Sequence, residues 1–141
     1  LEDDFVGNFL PFDERKIKRV LLTQALPDAV GVSPIGGYLN VVSPKENYGL
    51  LVEMGGRQSY SVPISPGLFK TVAIDSHRQV PFGEEIVFRG NGVLALDGDR
   101  EHAITSTTPA LVTIRRDGPY VIDIGASMRH AVAEGMMLIG K

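Results

Sequence analysis

The sequence predicts a mainly β domain, an antiparallel β-sandwich or complex β fold of about nine or more short strands with one C-terminal helix. Short runs of β-forming residues recur at intervals of roughly ten residues, with turn signals between them, which is typical of sandwiches. Sixteen glycines and nine prolines among 141 residues supply many tight turns and argue against a helical bundle. A hydrophobic content of 43% and a charged content of 22% indicate one globular domain with a moderate core.

Nine runs are predicted as strands. Apolar and polar residues alternate in several of them, as expected where one face of a strand is buried. Val72 and Ile74, for example, fall on the face opposite to Thr71. The predicted strands are Lys16–Thr23, Tyr38–Val42, Gly49–Glu53, Ser59–Val62, Phe69–Asp75, Glu85–Arg89, Gly92–Leu96, Ala110–Arg115 and Tyr120–Ile124.

Two turns are predicted to join neighbouring strands as hairpins. The sequence Arg-Gly-Asn-Gly at 89–92 favours a tight hairpin, because Asn and Gly accept positive φ at little cost. The sequence Arg-Asp-Gly-Pro at 116–119 predicts a second hairpin, between Ile114 and Tyr120.

The one predicted helix spans residues 126–138, with Ser127 as a capping residue and Gly140 at its end. Its apolar stripe indicates a core or interface face rather than a ligand site. The stripe consists of Met128, Ala131, Val132, Gly135 and Met136.

Composition excludes several classes of function. The formal net charge is −3 and the chain has no basic run, so no nucleic-acid partner is expected. The absence of cysteine excludes disulfides, thiolate metal sites and a cysteine nucleophile, and fits the reducing cytoplasm, where we expect the protein to work. No apolar stretch approaches ~18 residues, so no membrane association is expected. The three histidines, His77, His102 and His130, share no metal-ligand spacing.

Two polar segments are candidates for chemistry. In Asp97-Gly98-Asp99-Arg100-Glu101 an apolar run ends abruptly in charges. A carboxylate held at a strand end can act as a general base or as a ligand of a hard cation, but the local sequence alone favours a solvated hairpin tip. The sequence Ser-Pro-Ile-Gly-Gly at 33–37 is either a loop that offers backbone N–H groups to a phosphate or an ordinary glycine turn.

The order of four short motifs resembles the C-terminal β-rich domain of the ATP-NAD kinase-like family, and within it most closely the acetoin-catabolism protein X branch. The motifs are SPIGG from residue 33, PISPG from 63, LDGDRE from 96 and STTPALVTI from 106. The resemblance covers roughly residues 20–137. It implies that residues 1–14 are a lead-in or linker from a missing N-terminal α/β domain, which would be a partner of this chain, and that residues 15–141 form the C-terminal domain.

The resemblance also implies site residues, ligands and partners. In the parent protein a phosphoryl group would pass from ATP, with Mg²⁺, to a hydroxyl of a nucleotide or small metabolite. The implied catalytic residues are Asp97 and Asp99, with Asp97 linked to Mg²⁺ and no other metal ligand. The implied substrate- or nucleotide-binding residues are Ser33, Gly36, Gly37, Tyr38, Gly98 and Arg100. Ile35 and Asn40 stand where NAD kinases have Thr and Tyr, which leaves the acceptor open.

The family's Gly-Gly-Asp-Gly motif, which binds ATP phosphates, does not occur in these 141 residues. We therefore expect the isolated chain to be inactive. We also expect that it needs no cofactor for folding. Because open β-sheets and apolar edges tend to be covered, we expect a homo-oligomer. The alternative is a non-catalytic ligand-binding or oligomer-assembly module of a catabolic operon protein, with no phosphoryl transfer.

Overall fold

The computed structural model describes residues 13–96 and 100–140. Within these ranges the fold is mainly β, with antiparallel sheets and one C-terminal helix, as predicted. A 3-10 helix at Glu14–Lys16 precedes β1 (Arg19–Leu22), and α1 (Ser33–Gly37) follows. The remaining elements are β2 (Tyr48–Ser65), β3 (Leu68–Pro81), β4 (Glu85–Phe88), β5 (Gly92–Leu96), β6 (Arg100–Ile104), β7 (Ala110–Thr113) and α2 (Ile124–Ala133).

A three-stranded antiparallel sheet in the order β1-β2-β3 is the centre of the fold. Strand β2 pairs with β1 through Leu51 opposite Leu21, and with β3 along most of its length. The β2–β3 hairpin turns at Pro66-Gly67, where Gly67 has a φ of 76° that only glycine adopts without strain.

Strand β2 joins two runs that the sequence predicted as separate strands. Met54 and Gln58 both pair with Ile74, so residues 55–57 form a bulge in β2. Gly55 has a φ of 93°, and a Cβ on Gly56 would lie 2.2 Å from the carbonyl oxygen of Ile74. Two adjacent glycines thus let the chain bulge where the sequence pattern indicates a break.

The sheet buries both of its faces. Leu50 and Val52 belong to one hydrophobic cluster, to which α1 contributes Ile35. Leu51, between them in sequence, points to the opposite face and belongs to a second cluster with Ile86, Phe88 and Ile114. We call these the α1 cluster and the β4 cluster.

The remaining strands form two small sheets, β4 with β7 and β5 with β6. The hairpin predicted around residues 89–92 is therefore wrong: β4 pairs with β7, Phe88 opposite Ala110, while β5 pairs with the unpredicted strand β6. Gly90 does adopt a positive φ of 111°, so the chain turns there, but the turn leads β5 away from β4. Ile86 and Phe88 of β4 are buried in the β4 cluster together with Ile114, which directly follows β7.

The strand predicted at Tyr38–Val42 is also wrong. The N–H groups of Tyr38 and Leu39 donate to the carbonyls of Pro34 and Gly36, which continues the helical turn of α1. Only Val42 pairs, in an isolated bridge with Ala25.

The C-terminal helix is confirmed with different ends, and the strand and hairpin predicted between Ile114 and Ile124 are wrong. Asp123, rather than Ser127, caps α2 by accepting a hydrogen bond from the N–H of Ala126 at 2.8 Å. Gly135, with a φ of 65°, ends the helix. The N–H groups of Gly135 and Met136 donate to the carbonyls of Val132 and Ala131, the paired bonds of a Schellman motif.

Candidate functional site

The Ser-Pro-Ile-Gly-Gly segment forms the short helix α1, not an open loop. Proline at its start suits the first turn of a helix, because the missing N–H has no partner there. The Ser33 hydroxyl accepts the N–H of Leu26 at 2.9 Å and lies 3.3 Å from the carbonyl oxygen of Gln24, to which it donates. Ser33 therefore fastens the preceding loop to α1.

Gly36 and Gly37 are buried because other parts of the chain approach them closely. A Cβ on Gly36 would lie 2.5 Å from Cδ1 of Leu22 and 2.8 Å from Cδ2 of Leu50. A Cβ on Gly37 would lie 2.5 Å from the backbone carbonyl carbon of Leu26. Both glycines thus have a packing role, and their predicted contact with a nucleotide stays a prediction.

Tyr38 is the one member of the predicted binding set in this segment with an exposed side chain, at 40%. Its backbone N–H donates to the carbonyl of Pro34. Of the four predicted binding residues in this segment, Tyr38 is therefore the most accessible to solvent.

The second candidate segment is carried by the β5–β6 hairpin. Asp97, Gly98 and Asp99 lie outside the described residues. The strands on either side of them pair closely, with Leu96 opposite Arg100 and Ala95 opposite Glu101. Arg100 is exposed at the first position of β6 and has an interaction partner.

The two candidate segments attach to opposite faces of the central sheet. Ile35 of α1 is buried in the α1 cluster, whereas Ile104 at the end of β6 packs against the β4 cluster. Within the described part of the chain, α1 and the β5–β6 hairpin therefore do not line one common pocket.

A polar cleft that the sequence did not predict lies on β2 and β3. It encloses about 340 Å³ and is lined by Leu51, Glu53, Ser76, His77 and Arg78. Glu53 forms an ion pair with Arg19 at 2.8 Å, and Arg78 forms one with Glu84 at 2.7 Å. The signal in the sequence is the polar run from 75 to 79, which interrupts the alternation of β3. Two of the ionic side chains that line the cleft, Glu53 and Arg78, are thus paired with other residues of the chain.

Among the described residues, the carboxyl group of Asp13 has a perturbed pKa. The Arg15 guanidinium, which donates to both oxygens of Asp13 at 2.8 and 3.1 Å, holds the pKa of that carboxyl below its ordinary value. The same contact raises the pKa of Arg15. Asp13 caps the start of the 3-10 helix at Glu14–Lys16, where its side chain also accepts the backbone N–H of Arg15.

The ATP and Mg²⁺ implied by the resemblance do not fit the described residues alone. Across 13–96 and 100–140, no three His, Asp or Glu side chains are grouped to hold a metal ion. In the same ranges, every buried side-chain nitrogen or oxygen has a hydrogen-bond partner, so none is left for a ligand to satisfy. In that part of the chain no helix has the length and apolar character needed to cross a membrane.

Comparison with known proteins identifies the family. The family model of the acetoin catabolism protein X C-terminal domain matches residues 1–117. Acetoin catabolism protein X of Cupriavidus necator is 31% identical over 140 residues, which cover 96% of this chain and 39% of that protein. The chain thus spans about two fifths of the length of the curated relative that it matches. No solved structure matches significantly.

The predicted resemblance to the acetoin-catabolism protein X branch is confirmed, and the wider resemblance to ATP-NAD kinases stays a prediction. The match extends over most of the chain and includes α1 and the β5–β6 hairpin. The chain belongs to the acetoin catabolism protein X C-terminal domain family.

Proposed function

We propose that this chain is the acceptor-side domain of a longer protein of acetoin catabolism that transfers a phosphoryl group from ATP to a hydroxyl of a nucleotide or small metabolite. The supporting observation is the β5–β6 hairpin, in which Leu96 pairs with Arg100 on either side of the Asp97-Gly98-Asp99 sequence. A short antiparallel hairpin holds the ends of its strands in a defined register, as a positioned carboxylate requires. In this proposal the longer protein works in the cytoplasm as a homo-oligomer.

The residues on the hairpin have chemistry suited to an acceptor hydroxyl. In the proposal, Asp97 accepts the proton of that hydroxyl as it attacks, and Asp99 supports it. Arg100 supplies positive charge near the transferred group, where charge neutralisation and positioning contribute most of the catalysis. The nucleotide phosphates and Mg²⁺ are bound outside this chain, so the isolated chain does not catalyse the reaction.

The geometry changes the role expected of Ser33, Gly36 and Gly37. Their hydrogen bonds and close contacts explain their residue types by packing alone. In the proposal these three residues hold α1 against the sheet, and the acceptor is bound at the β5–β6 hairpin on the opposite face.

The test is ADP formation by the longer protein, with Asp97→Asn as the variant and Asp117→Asn as the matched control. Asp117 is also followed by glycine and is 73% exposed. We expect Asp97→Asn to lower kcat by about 10²–10⁴-fold, the typical contribution of a general base. The control should stay within about twofold of the wild type. Equal activity of Asp97→Asn and the wild type would refute the role of Asp97.

Calorimetry on the 141-residue chain addresses binding separately. Titration of the wild type, Asp97→Ala and Tyr38→Ala with NAD, a nucleotide that carries hydroxyl groups, separates the two candidate segments, which attach to opposite faces of the sheet. Binding that weakens in Asp97→Ala but not in Tyr38→Ala, while the circular dichroism spectrum is unchanged, would support an acceptor-side site at the hairpin.

A second candidate function is a non-catalytic ligand-binding or assembly module. The observation that favours it is the internal use of the Ser-Pro-Ile-Gly-Gly segment, which has a structural explanation without any ligand. A longer protein that forms no ADP with any nucleotide or metabolite hydroxyl, yet assembles stably, would favour this alternative.

A further inference from the structure

The C-terminal segment, residues 118–140, has an apolar surface. The β-rich body, by which we mean the described residues before 118, does not cover this surface. Its largest apolar side chains are strongly exposed, from 50% for Met128 to 105% for Tyr120. Among the described residues, every hydrogen bond within 118–140 is local to that segment. The exposed apolar residues are Tyr120, Val121, Ile122, Ile124, Met128, Val132, Met136, Met137, Leu138 and Ile139.

The last strong attachment to the body is Arg116. Its guanidinium donates to the carbonyls of Pro44 and Glu46 and lies over the ring of Phe82. The apolar segment begins four residues later. The contacts of Arg116 thus attach the chain to the β-rich body just before the C-terminal segment begins.

Helix α2 has defined ends but too little length to be stable alone. Its ten residues carry an N-cap at Asp123 and a Schellman motif at Gly135, so the sequence specifies a helix here. Isolated helices shorter than ~12–15 residues are marginal in water, and most helical stability in proteins comes from packing an apolar face. Ile124, Met128 and Val132 form such a face, at spacings of four residues.

The comparisons show that the apolar segment is shared with a longer protein. The family model of the C-terminal domain ends at residue 117, before the apolar segment begins. The C. necator relative nevertheless matches 96% of the chain, which leaves only about six residues unmatched, so the match continues into α2. Sixty-one per cent of that relative lies outside the match, since this chain covers 39% of it. The segment is therefore shared with a longer protein without being part of the matched β-rich domain.

We propose that residues 120–139 dock onto the part of the longer polypeptide that lies outside this chain, with the apolar face of α2 as the contact. This inference rests on the proposed longer protein and does not depend on phosphoryl transfer. The contact would be apolar and shaped in part by methionine, which adapts to irregular surfaces. In this arrangement the β-rich body is joined to the rest of the protein by the segment that follows Arg116.

The test is hydrogen–deuterium exchange of the segment 120–139, in the 141-residue chain and in the longer protein. We expect α2 amides to exchange rapidly in the 141-residue chain and at least about tenfold more slowly in the longer protein, because packing raises the free energy of local opening. Equal exchange in both proteins would overturn the proposal. Protection that appears in the 141-residue chain as its concentration rises would also overturn it, because a second copy would then be the occupant.

Two adjacent substitutions provide the matched comparison in the longer protein. Val132→Lys places a charge on the apolar face, whereas Ala133→Lys places the same charge about 100° away around the helix. Lysine near a helix C-terminus is favourable in both variants, so the helix itself is preserved. Val132→Lys should remove the protection of α2, and Ala133→Lys should keep it. Unchanged protection in Val132→Lys, with β2 and β3 still protected, would overturn the proposal.

Failure of this inference and failure of the proposed function are separable. Loss of α2 protection is read from exchange, while phosphoryl transfer is read from ADP formation by the same protein. An active protein with an unprotected α2 would overturn the docking alone.

Discussion

The guanidinium of Arg116 lies 5.3 Å from the centre of the Phe82 ring and donates hydrogen bonds to the backbone carbonyls of Pro44 and Glu46. One side chain thus joins the end of the β-rich body to the loop before β2 and to the turn after β3. A guanidinium is suited to this position because its flat face stacks on an aromatic ring while its N–H groups, which lie in the guanidinium plane, donate hydrogen bonds sideways.

Removing this contact should destabilise the chain. We expect Arg116→Ala to lower the free energy of unfolding by about 1–2 kcal/mol, because a cation–π contact and charged hydrogen bonds are lost. Arg115→Ala is the control, since Arg115 is 70% exposed and reaches only Asp117, at 3.9 Å. Its effect should stay within about 0.5 kcal/mol. Urea denaturation measures both values, and equal effects would contradict the role of Arg116.

Gly37 should tolerate no larger residue. The Cβ of alanine would meet the backbone of Leu26 and Pro27 at 2.5 Å, and backbone cannot move aside as a flexible side chain can. We expect Gly37→Ala to destabilise by about 1–3 kcal/mol, the usual cost of overpacking. The control is Gly118→Ala, which has open space around the added carbon and should change stability by about 0.5 kcal/mol or less. Thermal denaturation of the two variants would detect this difference.

Ser33→Ala separates a structural from a ligand-binding role of the hydroxyl. The substitution leaves the part-buried N–H of Leu26 without its acceptor and should cost about 1–2 kcal/mol even when no ligand is present. Ser127→Ala, at an exposed position of α2 where Asp123 provides the cap, should be close to neutral. A Ser33→Ala chain as stable as the wild type, but weaker in ligand binding, would restore the binding role.

The Asp13–Arg15 contact predicts a pH dependence with a definite sign. Because the pKa of Asp13 is lowered in the folded chain, the contact contributes fully above the ordinary aspartate pKa. Its contribution is lost as the pH falls through the lowered value. An NMR titration of the Asp13 carboxyl should give a midpoint below that of an ordinary aspartate, and Arg15→Ala should move it upward. An unchanged midpoint in the variant would show that Arg15 is not the cause.

The elements that the sequence predicted well are those whose signals are local. β4 and β5 have their predicted starts, and α2 follows from its apolar spacing of four. The predicted end of α2 at Gly140 is wrong: Gly135, which adopts a positive φ without strain, ends the helix.

The errors in the pairing of β4 and in the structure of α1 concern contacts between distant residues. The turn at Gly90 indicates a hairpin, but β4 pairs with β7, and Ile86 and Phe88 are buried with Ile114. The local pattern around Gly90 carries no information on residues 110–114. The two glycines of α1 indicate a loop because glycine disfavours helix, and only the approach of Leu22 and Leu26 explains them. The Asp97-Gly98-Asp99 prediction depended on the resemblance and awaits the binding experiments.

The alternation of Leu50, Leu51 and Val52 between the two clusters has a consequence for unfolding. These three neighbouring residues of β2 belong alternately to the α1 cluster and to the β4 cluster. Because both clusters share β2, disruption of one exposes residues of the strand on which the other depends. The β-rich body should therefore lose its structure in a single transition, with β1, β2 and β4 melting at the same temperature.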